Sequence, residues 1–162
     1  MIWTFPCAKV PIYSSFRYAK VKIFFLISIA VIDSIPDAKS IERLVGFAAP
    51  EIEAWIVADW DNTLGKHVDF RQHQQAMKWW LSHDKHVPFD APESFSVYVK
   101  ERDTCADKLS DAIIEAAFKK GETRYSKAIH TPLFLEQCDP QRVREKCPLF
   151  RQLYGSLSKY CQ

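Results

Sequence analysis

The spacing of hydrophobic residues changes along the chain, and each change marks a different kind of element. From Lys22 to Ile32 the apolar run is continuous, β-branched and aromatic. That pattern suits a strand covered on both faces, as in a parallel sheet. Asp33-Ser34-Ile35-Pro36-Asp37 closes it as a polar turn. Ala38 to Leu44 reads as a short helix and Val45 to Ala48 as a second buried strand. Downstream the period becomes helical. Pro50 suits a first helical position, where its missing N–H costs nothing. Ile52, Trp55, Ile56 and Asp59 then follow i, i+3, i+4, i+7 spacing. This predicts Ile52, Trp55 and Ile56 as core, with the acids of the helix carried to its surface.

Asp69 and Gln72 form a capping-box pair for the next helix, whose apolar face is Phe70, His73, Met77, Trp80 and Leu81. A Pro-containing loop follows over 82–96, with a short strand at Phe95 to Val99. A long helix is predicted from Asp103 or Thr104 to Lys120, with Leu109, Ala112, Ile113, Ala116 and Ala117 as its buried stripe. Lys119-Lys120-Gly121 is its stop signal. Thr131-Pro132 and Asp139-Pro140 announce helices at 132–138 and 140–146. Pro148 starts the last one, with Phe150, Leu153, Tyr154 and Leu157 inward. The expected class is α/β: a small, mostly parallel, Rossmann-like sheet with a helix-rich C-terminal half. One domain is expected over 23–162, preceded by an irregular stretch 1–22 broken by Pro6 and Pro11.

Composition adds limits. With 48% hydrophobic residues and only 4 Gly, the chain can fill a core and has no phosphate-cradling glycine loop. The net charge of +2 does not by itself mark a nucleic-acid binder. Its distribution is uneven: residues 31–118 hold nine Lys/Arg against sixteen Asp/Glu, and 119–162 hold nine against four. A metal site beside a phosphate-contacting surface would show this asymmetry, and so would two solvated faces of opposite sign. Five cysteines without a C-x-x-C argue against a zinc ribbon and fit reduced thiols in a cytoplasm. The apolar run at 23–32 is too short for a membrane-spanning helix, so no membrane association is expected.

The candidate chemistry is that of carboxylates. Asp33, Asp37, Glu53 and Asp59 lie near the ends of predicted elements. Oxygen-rich sets of this kind suit Mg²⁺, which takes one or two carboxylates plus water and substrate phosphates. Asp59, at a helix C-terminus, opposes the macrodipole, and Lys108, in a first turn, does the same with the opposite sign. Lys108 is a candidate to stabilise charge on a transferring phosphoryl group.

Glu53-Ala54-Trp55-Ile56-Val57-Ala58-Asp59 resembles the Glu-Ala-Trp-Leu-x-Ala-Asp core of the domain-of-unknown-function family 4276. Asp107-Lys108-Leu109, Tyr125-Ser126-Lys127 and Cys147-Pro148-Leu149-Phe150 are similar to further elements of that family, in the same order. The resemblance spans residues 45–157. It implies a TOPRIM-like fold, Mg²⁺ as cofactor, and a bacterial nuclease-related role in defence or DNA maintenance. Nucleic acid and an ATPase subunit would be the partners. Glu53 and Lys108 are the catalytic positions it carries over, and Asp33, Asp37, Glu53 and Asp59 the metal-binding ones. If the chain is an enzyme, it is then a metal-dependent phosphodiesterase or nuclease. The alternatives are a non-enzymatic partner of an ATPase and a degenerate, inactive fragment. A TOPRIM domain opens with a strand ending in a catalytic glutamate, and residues 1–32 contain no acid.

Overall fold

A computed structural model describes residue 46 and residues 48–96, 98–99 and 104–159. Helices dominate this part: α1 (Glu53–Ala58), α2 (Gln74–His83), α3 (Leu109–Gly121), α4 (Lys127–Gln137), α5 (Pro140–Lys146) and α6 (Pro148–Ser158). A 3₁₀ turn spans Pro92–Ser94. The strand pairing among the described residues is two residues deep, β1 (Tyr98–Val99) against β2 (Thr104–Cys105), antiparallel. The expected parallel α/β sheet, TOPRIM- or Rossmann-like, is therefore not seen, and the chain here is helix-rich. The physical reason lies in the period of the apolar residues. In the described part they recur at helical spacing, and such stripes are buried helix against helix. The predicted strand at 22–32 lies outside the described residues. Gly46 and Ala48, in the other predicted strand, have no regular structure.

The α2–α3 pair shows how sequence becomes packing. Leu109, Ala112, Ile113, Ala116 and Ala117 are all buried, as their spacing predicts. They meet Met77, Trp80 and Leu81 of α2 in one core with Phe70 and Phe134. The two helices run antiparallel. A Cβ at Gly121 would stand 3.0 Å from Met77 Sδ, whereas Glu115 pairs with Lys85 beyond the other end of α2. Lys85 and Lys119 lie over the Trp80 ring, 5.2 and 5.5 Å from its centroid. The helix stops one residue later than expected, because Glu122 takes the left-handed backbone position at φ 49°.

α1 is short but central. Glu53, Ala54, Ile56, Val57 and Ala58 are buried, while Ile52 and Trp55 are only partly covered. The expected arrangement is thus reversed for the acids: Glu53 is 0% and Asp59 1% exposed. A six-residue helix leaves most of its terminal groups without intrahelical partners. Neighbouring elements supply them. Lys146 Nζ donates to the Ala58 carbonyl at 2.7 Å, and the buried Thr63 hydroxyl lies 2.9 Å from the carbonyls of Ile56 and Asp59. Asp59 accepts from Asn62 Nδ2 (2.9 Å) and from the Asp139 backbone N–H (2.7 Å), with Arg142 Nη1 at 3.5 Å. Asp139 in turn caps α5 by accepting from Gln141 N. Trp55 Nε1 donates to Glu93 (3.3 Å), whose carboxylate also accepts from Leu149 N and Phe150 N at the start of α6. No helix among the described residues is long and apolar enough to cross a membrane.

Asp59→Ala removes the acceptor of a part-buried backbone N–H and should lower unfolding free energy by about 2 kcal/mol in urea titrations. Glu115→Gln, which weakens surface pairs with Lys85 and Lys119, should leave the urea midpoint nearly unchanged. Equal losses in the two variants would contradict the role given to Asp59.

Candidate carboxylate–lysine site

The N-terminal end of α1 faces the start of α4. Lys127 is the first residue of α4, and Thr131 lies one turn further on the same face. Lys127 Nζ is 2.8 Å from Glu51 Oε1 and 3.3 Å from Glu53 Oε2. The other Glu51 oxygen accepts from the Ser110 N–H at 2.8 Å, in the first turn of α3. An anion there is favoured by the helix dipole.

Glu53 is held by a chain of hydroxyls. Its carboxylate can only accept, so the Thr131 hydroxyl donates to Oε1 at 2.8 Å. Having spent its hydrogen, that hydroxyl accepts from Tyr125 Oη, also at 2.8 Å. Glu53 Oε2 is buried and makes no hydrogen bond. Lys127 is close enough to attract it, but the contact lacks hydrogen-bond geometry. Burial alone would raise the Glu51 carboxyl. Lys127 and the Ser110 N–H outweigh it and hold the group below the ordinary carboxylate range. Lys127 likewise resists the downward pull of burial, and the two glutamates set it above the usual lysine range. Burial pushes the Tyr125 hydroxyl upward, so it stays a donor.

This arrangement can hold a cation, accept a proton at Glu53 Oε2, or present positive charge to an anion. Oxygen donors of this kind fit Mg²⁺ in chemical type, with Glu51 Oε1 and Glu53 Oε2 gathered on one ammonium.

The sequence-predicted residues do not all meet here. Glu53 is at the centre. Lys108 is exposed and immediately precedes α3, two residues before the Ser110 contact to Glu51. Asp59 stands six residues past Glu53, roughly 9 Å along the axis. Its partners are Asn62, Asp139 and Arg142. Glu53 and Asp59 thus belong to two separate networks. Asp33 and Asp37 lie outside the described residues. Glu51, Thr131 and Tyr125 were not singled out by sequence reasoning as site residues, nor was Lys127. The signal for two of them was the i, i+4 spacing of Lys127 and Thr131. It is masked by Thr131-Pro132, which reads as a helix start, whereas Pro132 lies inside α4.

A second cluster also escapes the sequence. His67, Asp69 and His130 each offer a ligand atom, and these lie within 4.8 Å of one another. The hydrogen bonds disfavour a metal there. His130 Nδ1 accepts from Ser126 N at 2.8 Å, so the neutral ring carries its proton on Nε2, the atom 3.9 Å from Asp69 Oδ2. Metal-binding histidines place that proton on the other nitrogen. His130 packs among Phe70, Tyr125 and Phe134. A depression of about 440 Å³ lined by Asn62, Lys66, His67, Val68 and Gln137 opens beside His67 and includes no residue of the carboxylate–lysine network. The thiols of Cys138 and Cys147 are free and are pushed up to about 12 by burial, so neither is a ready nucleophile.

Burial, and then the neighbouring His67, lowers the affinity of His130 for a proton. A depressed folded-state value means stability is fully present above the usual histidine range and is lost as pH falls through the folded value. The urea midpoint should therefore fall between pH 7.5 and 5.5, and His130→Gln should flatten that slope. An unchanged slope would remove His130 as its source.

No curated protein and no solved structure matches the chain. A family model does, over residues 37–158, a span that holds both α1 and the Lys127–Thr131 face. The chain belongs to the family described as Domain of unknown function (DUF4276).

Proposed function

We propose that this chain is a Mg²⁺-dependent, nuclease-related domain, acting on nucleic-acid phosphodiesters in bacterial defence or DNA maintenance, with Glu53 as its central carboxylate. One observation carries the reading: Glu53 is fully buried, yet one of its oxygens makes no hydrogen bond. Buried polar atoms are almost always paired, and exceptions concentrate where chemistry is done.

Glu51 and Glu53 would hold the ion. Bound there, it supplies Lewis-acid stabilisation of phosphoryl charge and a more acidic water. The chain's own groups do the rest. Thr131 and Tyr125 fix the Glu53 carboxylate so that Oε2 faces the reacting side. Lys108, exposed at the head of α3, attracts the substrate phosphate. Without the Glu53 carboxylate the ion would lose one of its two holders, and with it charge stabilisation typically worth about 10²–10³ in rate.

A second reading has its own support. Phe118 is 70% exposed, with Ile114 also exposed one turn before it on α3, and Ile129 on α4 is 68% exposed. Exposed apolar side chains on two helices of this half suit a non-enzymatic subunit that docks an ATPase.

Wild-type chain should convert supercoiled plasmid to nicked or linear forms with Mg²⁺ or Mn²⁺ and lose this activity in EDTA. Glu53→Gln, which keeps the side-chain shape, should reduce the rate at least about 100-fold. Cleavage that ignores EDTA, or equal rates in both proteins, would sink the nuclease reading. Absence of all cleavage would leave the docking reading.

A further inference from the structure

We infer that Lys127 is an internal cation that holds the carboxylate site in its metal-free state, and that a divalent ion binds by displacing it. This rests on the metal reading of the same site and adds its regulation.

The first argument is charge balance. Glu51 and Glu53 bring two negative charges and Lys127 one positive charge. One negative charge stays uncompensated beside a side chain with no solvent exposure. An unpaired charge in such a place is costly, and a doubly charged ion removes the deficit that an ammonium leaves.

The second argument is geometry. Lys127 makes a hydrogen bond with Glu51 at 2.8 Å and none with Glu53 Oε2. It neutralises that oxygen only by proximity, at 3.3 Å. Thr131 holds the other Glu53 oxygen, so Oε2 is the one left without a hydrogen bond.

The third argument is freedom of movement. The Lys127 side chain is 48% exposed and begins at the first residue of α4. Its four-carbon stem can swing to solvent without disturbing the helix. Glu51 keeps its second oxygen on Ser110 N–H, and Glu53 keeps Thr131, so both carboxylates stay in place when the lysine leaves.

The test is a calorimetric titration of Mn²⁺ into the full, EDTA-stripped chain at neutral pH, with three variants. Lys127→Met should bind at least about tenfold more tightly than wild type, in the range expected of a coupling between two ligands of one site. Lys127→Arg, which keeps the competing charge, should stay within a few-fold of wild type. Glu53→Gln should not bind. A second readout uses the wild-type fold alone. Acylation of Lys127, followed by mass spectrometry, should speed up severalfold when Mn²⁺ is present. If wild type binds Mn²⁺ and Lys127→Met binds no more tightly, with acylation unchanged by the ion, the displacement is overturned while the metal reading stands. If neither protein binds and no plasmid is cleaved, the metal reading fails and takes this inference with it. Binding by Lys127→Met alone supports displacement in its strongest form.

Discussion

Carboxylates can be taken out of water only where something else supplies the contacts that water gave. α1 carries two of them into the interior on six residues, and much of the described structure is arranged to meet that demand. Lys127 and the hydroxyls of Thr131 and Tyr125 come from α4 and the turn before it. Asn62, the Asp139 backbone and Arg142 come from the turn after α1 and from the start of α5. Two helices are thus fixed to α1 by polar contacts at its opposite ends. The apolar core is built mainly by α2 and α3, together with Ala54, Ile56 and Val57 of α1 and with Trp60, Leu64 and Phe70 from the turns that follow it. Hydrophobic burial supplies the bulk stability, and the buried acids decide which helix sits where.

The two acids answer the same demand differently. Asp59 has both oxygens occupied and closes the C-terminal end of α1. Glu53 has one oxygen hydrogen-bonded and the other held only by the charge of Lys127, without a hydrogen bond. Complete satisfaction is what a structural carboxylate looks like, and an incomplete set leaves capacity for a ligand. The same contrast separates Glu53 from the histidine cluster. There the protons already fix which ring nitrogen is free, and it is not the one a metal needs.

How much of this could be read from the chain depends on the range of the interaction. The stripe of α3 was legible because five apolar residues at helical spacing have one natural burial, against another helix. The Asp139 cap of α5 was legible for the same reason, since its partner Gln141 is two residues away. The start of α4 was not, because Pro132 in a helix interior looks like a beginning. The burial of Glu53 and Asp59 was not legible either. Amphipathic reasoning sends acids outward, and Thr131 and Asp139, which hold Glu53 and Asp59 inside, lie 78 and 80 residues downstream of them. The expectation of a parallel sheet rested on a run at 22–32 outside the described residues, so it drew no support from the part that is helical. Glu53 itself became a site candidate through the motif and not through any local physical signal.

The distance between α1 and its partners has a consequence for how the protein is made. A helix of six residues is too short to persist alone in water. Its backbone and side-chain ties reach Lys127, Thr131, Asp139 and Lys146, the last 88 residues from Ala58. During synthesis the α1 segment therefore leaves the ribosome several seconds before its partners exist, at about 5–20 residues per second. For that interval its acids stay hydrated and its apolar residues unprotected. The α1 segment is read out early and completed late, and a truncation that removes α4 and α5 takes away Thr131 and Asp139, which hold its two acids.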